Sequence, residues 1–354
     1  MTALFDPLPQ RGVVLRNRVV VSPMCQYSAT DGLPDHWHLV HLGSRAVGGA
    51  GAVLAEATAV TADGRISPAD TGLWNDAAAA AWQPIAHFIK AHGAVAGMQL
   101  AHAGRKASTC VPWLGHGPLP PAQAWQTVAP SVVPFDASWP APVALDLAGI
   151  DAVVGAFRAA ARRTLDAGFN LLELHAAHGY LLHQFLSPLS NHRQDAYGGS
   201  FDNRTRLVRE VIGAVREVWP ERLPLWMRIS ATDWAGDDAG WTPGQSVELA
   251  RQVKTLGVDL VDVSSGGLLP HVHVPTSPGY QVPFAARIRE LSGMPTGAVG
   301  MITSPAQAAA IIGNGEADVV LLARESLRDP YFPRRAAATL GVQIDPPEQY
   351  RRAW

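Results

Sequence analysis

Short apolar runs recur along the chain, separated by longer stretches in which apolar and polar positions alternate at helical spacing. The runs at 19–22, 52–57, 95–100, 171–176, 225–230, 260–264, 297–300 and 319–324 are nearly continuous in Val, Leu, Ile and Ala, as expected of parallel strands buried on both faces. The stretches at 37–47, 77–91, 150–167, 204–218, 243–256, 284–291 and 304–313 read as helices, most of them ended by Gly or Pro. About eight strands, each followed by a helix, predict a (β/α)8 barrel. An open, doubly wound sheet is the alternative, but no G-x-G-x-x-G run opens a first helix. Residues 1–354 therefore read as a single α/β barrel domain. A Pro- and Trp-rich excursion at about 108–143 (VPWLGHGPLPPAQAW, then SWPAPV) follows strand three. Loops of this length are usually lids; a surface insertion outside the chemistry is the alternative. A tail at about 345–354 closes the chain.

The length of 354 residues suits one barrel as well as two average domains. A formal net charge of −2 gives no basic stripe for nucleic acid and no polybasic run for a lipid surface, so a small molecule is the expected partner. No apolar run is long enough to span a bilayer, and MTALFDPLPQRG lacks the charge and apolar order of a signal peptide. Cys25 and Cys110 are the two cysteines, too far apart in sequence for a cluster. These features suggest a cytoplasmic, reducing setting.

In such a barrel the functional face is the C-terminal end of the strands. Strand one ends in Ser22-Pro23-Met24-Cys25-Gln26-Tyr27, strand two in Glu56-Ala57, strand three in Gln99 and His102, and strand four in His175 and His178 with Tyr180 just beyond. Strand five ends in Arg228, strand seven in Gly300-Met301 and strand eight in Ala323-Arg324. His175 and His178 admit two readings. As metal ligands of a barrel hydrolase they need a third protein ligand, for which His36, His38, His41, His271 and His273 are the candidates. As donors converging on one substrate oxygen they would stabilise charge developing there, with Tyr180 supplying a proton. Arg228 interrupts an apolar strand and needs an anion. That anion is either Glu173 on the adjacent strand or the electron-rich edge of a cofactor. Gly300 and Ala323-Arg324 occupy the place where barrels bind phosphate, and a phosphate with an anionic ring suggests flavin mononucleotide (FMN).

The segments SPMCQYSA, EATAV, GRISPADTGLW, MQLAHAGRKAS, ELHAAHGYLLHQFLSPLSNHRQDAYGGSFDNRTR, MRIS, DVSSGG, GAVGMI and LLARESLRDP resemble, in order and across 4–354, the old yellow enzyme family, and within it the bacterial subgroup that includes the xenobiotic reductases. The resemblance implies a barrel with noncovalent FMN, reduced by NADPH or NADH and reoxidised by an electron-poor alkene. It carries FMN contacts onto Ser22, Pro23, Met24, Cys25, Ala57, Gln99, Arg228, Gly300, Ala323 and Arg324, with Gln99 at the pyrimidine edge. It makes His175 and His178 the pair that binds a carbonyl or nitro oxygen, Tyr180 the proton donor and Tyr27 a second phenol near the substrate. Cys25 would tune the flavin, or act only as a small buried thiol. Where the family commonly has Gly-Arg, this chain has Ala323-Arg324. The ending PPEQYRRAW resembles a tail whose arginine, here Arg352 with Trp354 close by, enters a neighbouring subunit's site, which implies a homodimer or homotetramer. His183 receives no role beyond a helix residue. The related dienoyl-CoA reductases add an iron–sulfur cysteine cluster that this sequence lacks. A non-catalytic flavin-binding barrel is the other alternative.

Overall fold

The computed structural model describes residues 3–115, 117–236 and 239–353. Eight parallel strands, β1 (Val19–Val21), β2 (Ala52–Ala59), β3 (Val95–Ala101), β4 (Leu171–Ala176), β5 (Leu225–Ser230), β6 (Leu260–Ser264), β7 (Thr296–Ala298) and β8 (Val319–Leu322), pair in chain order and close where β8 meets β1. Around them lie α1 (His36–Val47), α2 (Asp76–Ala91), α3 (Leu147–Asp166), α4 (Phe201–Arg216), α5 (Pro243–Thr255), α6 (Val282–Ser292), α7 (Pro305–Gly313) and α8 (Phe332–Thr339). The chain is a (β/α)8 barrel. Asn75, Ser200, Thr242 and Ser304 each accept, through the side chain, the amide three residues on; these caps fix where four of the helices start.

The edges differ from the sequence reading in places that matter for the site. β7 stops at Ala298 because Gly300 turns the chain outward at φ +120°. β8 stops at Leu322, and Arg324 opens a short helix, Arg324–Arg328. β2 runs on to Ala59, and its register against β3 shifts between Ala55 and Ala57. The extra residue of this bulge is Glu56, whose carboxylate accepts the Gln26 amide at 2.8 Å and lies 3.1 Å from His38 Nε2 of α1. Bulges re-aim side chains next to sites, and this one ties the loop after β1 to the first helix.

Alternation along the strands stacks the barrel interior in layers, since every second residue faces inward. Leu171, Glu173 and His175 share one face of β4; Trp226, Arg228 and Ser230 share one face of β5; Leu260, Asp262 and Ser264 share one face of β6. The lowest layer is apolar, with Leu15, Val20, Leu54, Leu171, Trp226 and Leu260 buried together. A hairpin of Leu8–Gln10 and Val13–Leu15 lies against it, and Gln10 Oε1 accepts the Trp226 indole N–H at 3.2 Å. Above this floor lie the charged side chains, and above those the histidines.

The excursion after β3 begins with a 3-10 turn, Gly104–Lys106, and contains a two-stranded parallel pair, Val128–Ala129 with Val143–Ala144. It is pinned over the mouth. Arg105 donates to Leu268 O at 2.9 Å, and Arg65 lies between the rings of Trp74 and Trp125, 5.3 and 5.2 Å from their centroids. The Trp125 indole N–H donates to Asp63 O at 2.9 Å.

Candidate active site

After β4 the chain turns through His178 at φ 58° and Gly179 at φ 73°. The turn is forced by a close crossing. A side chain on Gly179 would meet Gly267 O at 2.3 Å, and one on Gly267 would meet His178 Cα at 2.6 Å, so only glycines let the loops after β4 and β6 touch. Lys106 Nζ seals the crossing, donating to His178 O and Gly267 O at 2.8 Å each. From below, Ser230 Oγ accepts the His178 amide at 2.9 Å. From behind, His183 on the short helix Leu181–Leu186 accepts the Gly179 amide at Nδ1 (2.9 Å) and faces Asp233 with Nε2 (2.9 Å), both side chains fully buried. His183 is thus an anchor of the turn rather than a bystander.

Held this way, the imidazoles of His175 and His178 stand nearly perpendicular with centroids 5.2 Å apart, and the Tyr180 ring lies 5.0 Å from His175. Burial, and the nearby positive charge of Arg228, hold both histidines well below their ordinary pKa, so both are neutral. His175 Nδ1 accepts the Ala177 amide at 3.3 Å, which leaves its proton on Nε2. His178 Nε2 lies 2.7 Å from Ser264 Oγ. Gln281 is oriented by its own N–H to Val299 O (3.0 Å), and its Oε1 already takes the Ser265 hydroxyl at 2.7 Å against 3.2 Å for Ser264. The Gln281 amide oxygen has two lone pairs and accepts both hydroxyls, and Ser264 Oγ, held this way, fixes the orientation of the His178 ring. Burial drives the Tyr180 phenol well above its ordinary pKa, and drives the Cys25 thiol up as well, helped there by Asp70 and Glu56. Two neutral imidazoles thus stand beside a protonated phenol.

The layer beneath is ionic. Arg228 Nε is 3.1 Å from Asp262 Oδ2, and its Nη1 donates to Ser22 Oγ at 3.1 Å. Of the two anions the sequence offered Arg228, Glu173 or a cofactor edge, Glu173 is not its contact. Asp262 stands beside Arg228 in register on β6, while Glu173 Oε1 instead accepts Gln99 Nε2 at 2.7 Å.

A cavity of about 460 Å³ opens at the C-terminal ends of β5 to β8, lined among others by Arg228, Tyr280, Gly300, Ala323 and Arg324, a volume typical of ligand pockets. At Gly300 a Cβ would come within 2.8 Å of Gln281 Nε2 and 3.1 Å of Tyr280 Cε1, so with φ +120° the position suits glycine. Ala323 has φ −99° and ψ −101°, a negative φ with a ψ outside the common helical and extended regions. The Arg228 and Arg324 guanidinium groups lining one cavity fit a phosphate-bearing, electron-poor ring. Ala57 and Tyr180 line a narrow crevice on the opposite side with Asp70 and Ala101; burial lifts the Asp70 carboxyl to about 7. Pro23, Met24 and Cys25 are half-buried in the loop after β1. The Tyr27 ring meets the Trp113 ring of the excursion edge-on at 5.9 Å. Arg352 is not brought to this cavity: it is exposed on the tail, where Tyr350 hydrogen-bonds Tyr331 and Arg351 reaches Glu348 at 2.5 Å. Trp354 lies outside the described residues.

Lys106, Asp262, Ser264 and Gln281 were not singled out from the sequence. Asp262 carries the same signal as Arg228, a charge inside an apolar strand. Lys106 and Ser264 lie within the quoted motifs MQLAHAGRKAS and DVSSGG. Gln281 has no local signal.

A closed α/β barrel with a guanidinium at the floor of its cavity and neutral donors at the rim defines an enzyme that works on a bound cofactor. The chain belongs to the NADH:flavin oxidoreductase / NADH oxidase family, whose model matches residues 3–343. It is an FMN-dependent oxidoreductase. It is 49% identical over 355 residues to an NADPH dehydrogenase of Geobacillus thermodenitrificans, covering 100% of this chain and 99% of the relative. Among solved structures, morphinone reductase in complex with tetrahydroNAD superposes with a TM-score of 0.80 at 26% identity, covering 99% of this chain and 94% of that one. An old yellow enzyme homologue from Zymomonas mobilis does so with a TM-score of 0.79 at 26% identity, covering 97% and 94%. The resemblance read from the sequence motifs and these comparisons agree.

Proposed function

We propose that the protein takes hydride from NADPH or NADH and passes it to electron-poor C=C bonds of α,β-unsaturated carbonyls, with nitro compounds and quinones as further acceptors. The observation that carries this reading is the neutral His175–His178 pair next to protonated Tyr180, above the Arg228 cavity. FMN, when bound, supplies the two-electron chemistry; the protein positions and polarises. Ser22, Pro23, Met24, Cys25, Ala57, Gln99 and Arg228 hold the ring, and Gly300, Ala323 and Arg324 hold the phosphate. His175 and His178 hold the acceptor's carbonyl or nitro oxygen and stabilise the charge that develops there. Tyr180 gives a proton to the α carbon, and Tyr27 lines the substrate side. Donor and acceptor occupy the same place in turn, a ping-pong order. Nothing in the described residues favours the hydrolase reading, because His38 is engaged by Glu56 and Asp35, and His271 by Asp136 at the surface.

The chain is read as one domain, with the excursion as its lid, working in the cytoplasm. Its exposed tail supports an assembly of two or four copies in which Arg352 enters a neighbour's site. The test is spectroscopic. The purified protein is expected to be yellow, to bleach with NADPH without oxygen, and to recover its colour on adding an enone; a colourless protein, or bleaching without recovery, refutes the reading.

A further inference from the structure

Glu173, Arg228 and Asp262 face inward on the adjacent strands β4, β5 and β6, two acids beside a single guanidinium that contacts Asp262. Glu173 and Asp262 are 0% exposed and Arg228 is 6% exposed. Their polar capacity is far from used up. Glu173 Oε2 and Asp262 Oδ1 are buried without a hydrogen-bond partner, and the Arg228 Nε contact to Asp262 Oδ2 is an ion pair without hydrogen-bond alignment. Two carboxylates against one guanidinium would leave a net negative charge in a dry interior, which costs far more than protonating one of them.

Which acid keeps the proton follows from the contacts. Asp262 has the guanidinium directly; Glu173 has one neutral amide, Gln99, at 2.7 Å. Burial pushes the Glu173 carboxyl up, Asp262 adds to the push, and Arg228 only partly offsets it; burial also raises Asp262, again against Arg228. The groups around the pair are Ser22 from β1, Gln99 from β3, neutral His175 from β4 and Ser264 from β6. None of these is a further cation.

We propose that Glu173 and Asp262 form a proton store coupled to the redox state of the cofactor, with Asp262 taking up a second proton when the ring above Arg228 becomes negatively charged. The inference rests on the reading that the ring lies over Arg228. Two electrons and one proton arrive as hydride from the nicotinamide. The negative charge then draws on Arg228, Asp262 loses part of its counter-charge, and a proton from solvent comes to rest on its carboxylate. When hydride passes on to the acceptor, that proton is released.

The experiment uses the wild-type holoenzyme. Infrared difference spectra between the oxidised and reduced states should show a new protonated-carboxyl C=O band that shifts in D2O and is absent in Asp262→Asn. The midpoint potential should fall by about 60 mV per pH unit over part of the range near neutrality, because each proton taken up contributes about 30 mV per pH unit to a two-electron couple. Glu173→Gln and Asp262→Asn should narrow or remove that steeper region. A wild-type slope of about 30 mV throughout, with no carboxyl band, overturns the proposal, and this holds even if neither variant folds. A protein that binds no flavin overturns the functional reading itself, whereas a flavoprotein without the band overturns only the proton store.

Discussion

Tyr180→Phe removes one oxygen from the site and leaves the packing in place. The ring keeps its contact with His175 at 5.0 Å and with Lys106 Nζ at 5.2 Å from its centroid, and neither depends on the hydroxyl. Positioned general acids contribute roughly 100- to 10,000-fold, equivalent to about 3–5 kcal/mol of barrier. The oxidative half-reaction with an enone should therefore slow by about that factor, while reduction by NADPH, which needs no proton from Tyr180, changes by no more than about threefold. Anaerobic stopped-flow mixing, following the flavin absorbance, measures the two steps separately. Because burial keeps the phenol protonated well past its ordinary range, the wild-type oxidative rate should also show no falling limb from this group up to about pH 9. Equal slowing of both half-reactions, or of neither, would remove Tyr180 from the donor role.

Further expectations come from residues around the pair. Ser264→Ala removes the hydroxyl 2.7 Å from His178 Nε2 that orients the ring, and phenol-type ligands should bind about tenfold more weakly, about 1.4 kcal/mol; unchanged affinity in an absorbance titration would contradict the role. Asp233→Ala leaves buried His183 without its partner at 2.9 Å and should lower unfolding free energy by about 3–5 kcal/mol in urea melts; a loss below about 1 kcal/mol would show that the pair does not anchor the turn. Burial holds His41 near 3, His102 near 4, and His175 and His178 well below normal. The unfolded chain binds protons at these sites below about pH 6.5 and the folded chain does not, so these four sites lower stability as pH falls. His38, raised by Glu56 and Asp35 despite its burial, and Asp70, Glu173 and Asp262, raised by burial to about 7, 8 and 6, bind protons in the folded chain that the unfolded chain has released, and they oppose the four histidines, so the melting temperature should change little between about pH 7.5 and 5; a steep drop would refute the balance. Arg65→Ala deletes two cation–π contacts worth about 0.5–1 kcal/mol each, and limited proteolysis within the excursion should accelerate, with an unchanged rate refuting its role as a clip.

The barrel was legible because buried parallel strands show as unbroken apolar runs, and a charge within such a run stands out, as Arg228 did. The order of motifs placed His175, His178 and Tyr180 at one strand end, and the structure brings all three together. Pairings between strands were less accessible. For Arg228 the motifs offered Glu173 or a cofactor edge, and Asp262, beside it in register, was not weighed. The N-terminal hairpin was missed because two three-residue strands, one of them holding a proline, carry almost no periodicity. The clamp on the His178 turn depends on loops that meet only after folding, so Lys106 and Ser264 showed only as members of longer motifs and Gln281 gave no local warning.

The floor formed by that hairpin and the apolar layer above it makes the barrel a vessel with a closed end. Trp226 and its neighbours leave no passage toward the N-terminal side, so whatever settles against Arg228 must arrive and depart on the same side. A hydride donor and an acceptor cannot use opposite doors. A spent nicotinamide that lingers therefore obstructs its successor, and excess of either molecule should slow turnover by occupying the common approach.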